Sequence, residues 1–405
     1  MTRLILLFGF VMALSAQPRA VVPAGGPPPV GPYTPGVIAD GYLYVSGQGA
    51  RTPKGEMPAT FEAQVQQTLD NVKTVVEAAD LTLEHVVYTH VYLEDITKAA
   101  DLDRVYARYF PKDPPARALI GVARLPGTPV EINAAAVVNR ERRRPVRMPG
   151  LEAQQPVSAG MLTHDRLFIS SFPGRKNGGI IPSDPAEEVT AALDNFKAVT
   201  EAAGVSLAHV VFVNPYLTRQ IPAGVMNKLY AGRFEFGNTP ARATIFVNSL
   251  PAGNIVFTGV AVRDLARRQA VRPKNMAPSP TASPCVFAGN TLYCSAKSGF
   301  IPGPHSGIYA ATVEHQVRQT MRNLLDNLEE AGMRFSDVAA TNVYLDNVDD
   351  FAKMNGVYAQ YFSEGVKPAR TTIQQAPPGP RDPDPRGRYP TLEQISLVAV
   401  RSGAQ

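Results

Sequence analysis

Pro115-Ala116-Arg117, Pro240-Ala241-Arg242 and Pro368-Ala369-Arg370 are one tripeptide written three times, at spacings of 125 and 128 residues. A second tripeptide keeps a similar beat: Leu69-Asp70-Asn71, Leu193-Asp194-Asn195 and Leu325-Asp326-Asn327, spaced by 124 and 132. Self-similarity at a fixed period marks tandem structural units. A chain of 405 residues is too long for one core, and this period divides it. The sequence therefore predicts repeats over 24–138, 156–265 and 279–403, with a leader over 1–16 and linkers over 139–155 and 266–278.

The first repeat shows what each unit builds. Val37 to Tyr44 is β-rich around Asp40-Gly41, a two-residue hairpin signal. Phe61, Val65, Leu69, Val72, Val76 and Ala79 follow helical spacing. Val86 to Leu93 reads as a strand, Leu102 to Phe110 as a second helix stopped by Pro111, and Leu119–Leu125 and Val130–Val138 as closing strands. The order ββαβαββ places helices on one face of a mixed sheet, an α/β two-layer sandwich.

Composition narrows the function. Apolar residues at 44% and charged residues at 19% are ordinary globular values. The net charge of +5 sits in two short stretches, Arg140–Arg147 and Arg263–Lys274, each worth +4, leaving the rest of the chain at −3. Basicity confined to solvated linkers argues against a nucleic-acid partner. The start, Met1-Thr2-Arg3 followed by an apolar run from Leu4 to Leu14 and by Ser15-Ala16, describes a secretory signal peptide, hence a periplasmic or secreted protein. No other segment approaches the length of a membrane span.

Cys285 and Cys294 are the only cysteines, which excludes a four-cysteine zinc site. The stretch between them folds back at Gly289-Asn290, so they face each other at a non-hydrogen-bonded position of a hairpin, with Cα atoms about 4.5 Å apart. That is disulfide range. Familiar catalytic motifs fail: Gly47-Gln48-Gly49 lacks the third glycine of a dinucleotide loop, and no phosphate loop or nucleophile elbow occurs. His85 and His209 occupy equivalent places, but repeat 3 has Asp337 there. No histidine cluster has metal-ligand spacing, and the reading contains no metal and no cofactor. What recurs is the arginine of the tripeptide, just before an apolar strand. A guanidinium there either grips a ligand carboxylate at two points or makes a structural salt bridge at a domain junction.

Gly31-Pro32-Tyr33, Val45-Ser46-Gly47-Gln48, Leu69-Asp70-Asn71-Val72-Lys73, Pro115-Ala116-Arg117, Val122-Ala123-Arg124-Leu125-Pro126 and Val130-Glu131-Ile132 stand in the order and spacing of the Rid family (RidA/YjgF, also called endoribonuclease L-PSP), which the chain resembles in three tandem copies. The resemblance implies a chorismate-mutase-like fold, a trimer with a cleft at each subunit interface, and hydrolysis of small enamines and imines to 2-oxo acids and ammonia. A homotrimer's length in one chain implies a monomeric pseudo-trimer. Carried onto this sequence, Arg117 holds the substrate carboxylate and Glu131 places or activates water. Tyr33 and Ser46 line the pocket, and the Leu119 backbone N–H assists.

The copies differ. Asp103 stands where the family often has Asn, restored by Asn227 and Asn355; Ser170 and Ser295 match Ser46; Arg242 and Arg370 match Arg117. At the place of Glu131, repeat 2 has Val256 and repeat 3 has Gln394, with Glu393 one residue off and on the opposite strand face. Only repeat 1 carries both acid and arginine, and a cleft drawing them from different repeats would split that pair. The expected activity is an exported enamine/imine deaminase. The alternatives are a protein that binds small carboxylates in degenerate pockets and, third, an endoribonuclease.

Overall fold

The computed structural model describes residues 17–148, 150, 156–176, 179–303 and 307–401; the signal peptide expected over 1–16 lies outside them. The chain enters through β1 (Arg19–Val21), which pairs with β2 (Gly36–Ala39). Asp40 and Gly41 then take φ of 48° and 75°, a primed hairpin turn matched to strand twist, and start β3 (Tyr42–Gln48) with Ala39 opposite Tyr42. The expected helix forms as α1 (Phe61–Glu77), with Thr60 capping the Ala63 N–H and Val65, Leu69, Val72 and Val76 buried. β4 (Val86–Leu93), α2 (Ala99–Tyr109), β5 (Ala116–Gly121) and β6 (Val130–Val137) complete the repeat. Strand order is β1-β2-β3-β6-β4-β5, and only β4 and β5 run parallel. β5 begins three residues before its expected start at Leu119, so Arg117 lies inside an edge strand.

Repeat 2 contains β7 (Arg144–Val146), β8 (Gly160–Leu162), β9 (Arg166–Pro173), α3 (Pro185–Ala202), β10 (Val210–Leu217), α4 (Ala223–Ala231), β11 (Ala241–Arg242), β12 (Ile245–Phe246) and β13 (Ile255–Val262). Repeat 3 contains β14 (Arg268–Val271), β15 (Cys285–Ala288), β16 (Thr291–Ser298), α5 (Val313–Glu330), β17 (Val338–Leu345), α6 (Phe351–Tyr358), β18 (Ala369–Gln374) and β19 (Glu393–Val400). Cys285 pairs with Cys294 across the β15–β16 hairpin, Cα atoms 4.0 Å apart, and the two sulfurs are bonded.

Two expectations need correcting. The arginine-rich linkers are not free spacers, because each supplies the first strand of the next sheet: β7 pairs with β8, and β14 with β15. Their arginines reach back to the preceding repeat, Arg143 to the carbonyls of Val86 and Asp113, Arg268 to those of Val210 and Asn238. The third Leu-Asp-Asn is also not equivalent to the first two. Asn71 and Asn195 donate from the first helix of their repeats to the carbonyls of Gly49 and Pro173. In repeat 3 that bond, to Ser298 and Phe300, comes from Asn323, one helical turn before Asn327.

Every sheet is buried on both faces. One face packs beneath the helices of its own repeat, giving three separate cores. The other faces meet around a pseudo-threefold axis in a core shared by all three repeats, with Tyr92, Tyr216 and Tyr344 fully buried in it. At one end of the axis, symmetry breaks. Arg166 is buried over the ring of Tyr42 at 4.2 Å, donates to Asp165 at 2.7 Å and to Tyr293 at 3.0 Å, and reaches Asp40 at 3.3 Å. An axial void of about 110 Å³, lined by rings and hydroxyls, has no carboxylate, and burial holds its His90 at about 3, hence neutral.

Candidate active site

The edge strand of each repeat lies along the long hairpin strand of another: β5 on β9, β11 on β16 and β18 on β3. Edge strands have free backbone N–H groups, and one serine per junction takes the N–H of the recurring arginine. Ser170 Oγ accepts from Arg117 N, Ser295 Oγ from Arg242 N and Ser46 Oγ from Arg370 N, each at 2.8 Å. The same hydroxyls donate at 2.6 Å to Ser158, Ser283 and Thr34 carbonyls. The three serines are thus interface struts with their bonds spent, and Ser46 does not line the pocket as expected. Each arginine also lies over a tyrosine of its own repeat's second helix, Tyr106, Tyr230 or Tyr358, at 4.8–5.0 Å. Three clefts follow, between repeats 1 and 2, 2 and 3, and 3 and 1.

The cleft between repeats 3 and 1 unites an arginine with an acid. Its cavity of about 90 Å³ is lined by Arg370, Thr372 and Phe351 from repeat 3 and by Tyr33, Gln48 and Glu131 from repeat 1. Arg370 is 4% exposed, its Nη1 has no hydrogen-bond partner, and its guanidinium sits between the rings of Tyr33 and Phe351 at 5.6 and 5.5 Å. Burial pushes Glu131 up to about 8, against the backbone N–H of Thr372 and the charge of Arg370. Two glycines make the room: a Cβ on Gly31 would meet Arg370 Nη2 at 2.5 Å, and one on Gly47 would collide with the Glu131 carboxyl. Where repeats 2 and 3 have lost the acid, Gly47 is replaced by Ser171 and Ala296. Asn355 stands beside Gly31, near Arg370, its Oδ1 buried without a partner.

Arg117 and Glu131 do not meet, which corrects the expected catalytic pair. Arg117 lies on the edge strand β5 and Glu131 at the start of the central strand β6, and they face different neighbours. Arg117 lines the cleft between repeats 1 and 2, where Asp103 takes its Nη1 at 2.6 Å and Val256 fills the place of the acid. There Nη1 of the guanidinium is taken up in a salt bridge, while Nη2 is buried with no hydrogen-bond partner among the described residues. The backbone N–H of Leu119 lies on β5 along β9 of repeat 2, away from Glu131; Thr372, two residues after Arg370, takes that place.

Sequence comparison finds the same three repeats. The Endoribonuclease L-PSP family profile matches residues 25–138, 149–257 and 274–378. The chain belongs to this family. Among curated relatives, the Escherichia coli 2-iminobutanoate/2-iminopropanoate deaminase is 39% identical over 124 residues, 29% of this chain and 97% of the relative. A RutC family protein of Saccharolobus solfataricus is 42% identical over 102 residues, 25% of this chain and 81% of the relative. Among solved structures, the YjgF gene product of E. coli is 38% identical, covers 30% of this chain and 99% of its own, and has a TM-score of 0.29.

In this L-PSP family chain the cleft between repeats 2 and 3 differs again. Arg242 Nη1 donates to Asn227 at 2.9 Å, and Gln394 faces the cavity where an acid would stand. Strand register confirms that position, with Gln394, Val256 and Glu131 each opposite a tyrosine, Tyr344, Tyr216 and Tyr92. Glu393 faces the other way, beneath α5, where Thr320 donates to it and burial holds it at about 8. Lys297, absent from the sequence-based candidates, lines this cleft; counting two residues on from each strut serine gives Gln48, Phe172 and Lys297, which would have exposed it. His85 and His209 are excluded as catalysts because their Nδ1 atoms cap the backbone N–H of Thr82 and Ser206, the bond Asp337 makes to Arg334.

Proposed function

We propose that this protein hydrolyses small 2-imino or enamine carboxylates to 2-oxo acids and ammonia, at the single cleft between repeats 3 and 1. The observation that carries this is the convergence of Arg370 and the buried Glu131 in one small pocket. Arg370 offers a carboxylate its buried Nη1, which has no hydrogen-bond partner among the described residues, on a planar group suited to two-point contact. A carboxyl near 8 serves twice close to neutral pH. Protonated, Glu131 gives its proton to the terminal carbon of the enamine, leaving an iminium. As the carboxylate, it takes a proton from water attacking the iminium carbon, and the carbinolamine then expels ammonia to leave the 2-oxo acid. A deaminase among the relatives supports the same chemistry. The leader-like N-terminus supports export, and the closed ring of three repeats supports action as a monomer.

The test generates 2-aminoacrylate in situ and follows ammonia release. Arg370→Ala should lower kcat/KM at least about hundredfold, from loss of a charge-assisted contact worth about 3 kcal/mol. Glu131→Gln should lower kcat, and Arg117→Ala should act like wild type. An Arg370→Ala enzyme with wild-type kcat/KM overturns the proposal.

A further inference from the structure

The same cleft occurs three times, with three different charge balances. Between repeats 1 and 2 the arginine is neutralised by Asp103 at 2.6 Å. Between repeats 3 and 1 it faces Glu131. Between repeats 2 and 3 the cavity, about 310 Å³, is lined by two cationic side chains, Arg242 and Lys297, and by no Asp or Glu. Arg242 keeps its contact to the neutral Asn227, and Ser295 holds its backbone as in the other clefts. Lys297 extends from β16, across the junction from Arg242, and no charged group among the described residues is set against it.

We propose that this cleft binds a small dicarboxylate, Arg242 holding one carboxylate and Lys297 the other. Two like charges brought to one partly buried cavity repel each other and lose hydration, a cost that a dianion between them offsets. Burial alone pushes the Lys297 ammonium, and chiefly burial the Arg242 guanidinium, below their ordinary values, as expected of cations with no counter-charge. Gln394 in place of the acid leaves nothing to activate water, so the cleft binds without hydrolysing. The Thr244 hydroxyl, buried and without a partner, adds a donor to the same cavity. The role given to Arg242 rests on the reading of Arg370 as a carboxylate anchor.

Binding rather than catalysis tests this, so the outcome is independent of the deaminase reading. Calorimetry on the full chain carrying Arg370→Gln uses succinate, propionate and inorganic phosphate as probes. Succinate should bind once per chain and at least about tenfold tighter than propionate. Lys297→Gln or Arg242→Gln should weaken succinate by about tenfold or more, the loss of one charge-assisted contact. Lys297→Arg, which keeps the charge, should restore binding, and circular dichroism verifies that each variant is folded. Succinate binding no tighter than propionate, phosphate binding as tight as succinate, or indifference to Lys297→Gln in a folded protein would each overturn the assignment.

Discussion

Replacing Glu131 with glutamine should stabilise the protein by an amount that depends on pH. Unfolded, the carboxyl titrates near 4.5; in the cleft, burial moves it to about 8. Between those values the native state keeps a proton that the unfolded state has released, so stability falls with rising pH by about 1.4 kcal/mol per pH unit from this group. The accumulated cost is about 3 kcal/mol at pH 7 and about 5 kcal/mol above pH 8. Glutamine fills nearly the same volume and does not titrate. Glu131→Gln should therefore match wild type near pH 4.5 and gain steadily above it. Glu393, also near 8, contributes a slope of the same sign, and His90, held at about 3, one of opposite sign up to about pH 6.5; neither is touched, so the difference between the two proteins isolates Glu131. Guanidinium denaturation of both proteins at pH 5, 7 and 8.5 measures this directly. A stability difference that stays constant across that range would refute the claim that the cleft holds Glu131 protonated.

Asp103→Asn should cost only about 1 kcal/mol in denaturant unfolding, because the amide oxygen still accepts from Arg117 as Asn227 does from Arg242 and only the charge is lost, whereas Asp103→Ala, which strands the buried guanidinium, should cost about 3 kcal/mol. Removing the disulfide with Cys285→Ala and Cys294→Ala should cost about 2–3 kcal/mol, the value for a short closed loop, and the wild type should lose a similar amount of stability in reductant. His85→Asp should keep wild-type thermal stability, since Asp337 already makes that cap in repeat 3, whereas His85→Ala should lose about 1 kcal/mol.

Features set by neighbours in the chain were readable from residues alone. Asp40-Gly41 specified its hairpin, the period of Val65, Leu69, Val72 and Val76 specified α1, and the turn at Gly289-Asn290 set the register that joins the two cysteines. Partner choice between repeats was not readable. Arg117 and Arg370 share the same local sequence, and only packing around the axis brings Arg370, rather than Arg117, to Glu131. The connecting strands were missed for a related reason: Arg144–Val146 and Arg268–Val271 have no periodicity of their own and exist through bonds to β8 and β15. The third Leu-Asp-Asn misled because composition repeated one helical turn away from the position that does the work, Asn323.

Because each cleft takes its arginine from one repeat and its facing strand from another, the repeat is not the unit on which mutation acts. A gene encoding one repeat for a homotrimer alters three clefts with every codon change. In the fused gene each half-cleft drifts alone, and repeat 1 records this by pairing an intact acid half with an arginine half spent on Asp103. Repeat 2 supplies neither half of the cleft that holds both groups. Its contribution to that cleft is as the wedge that closes the ring.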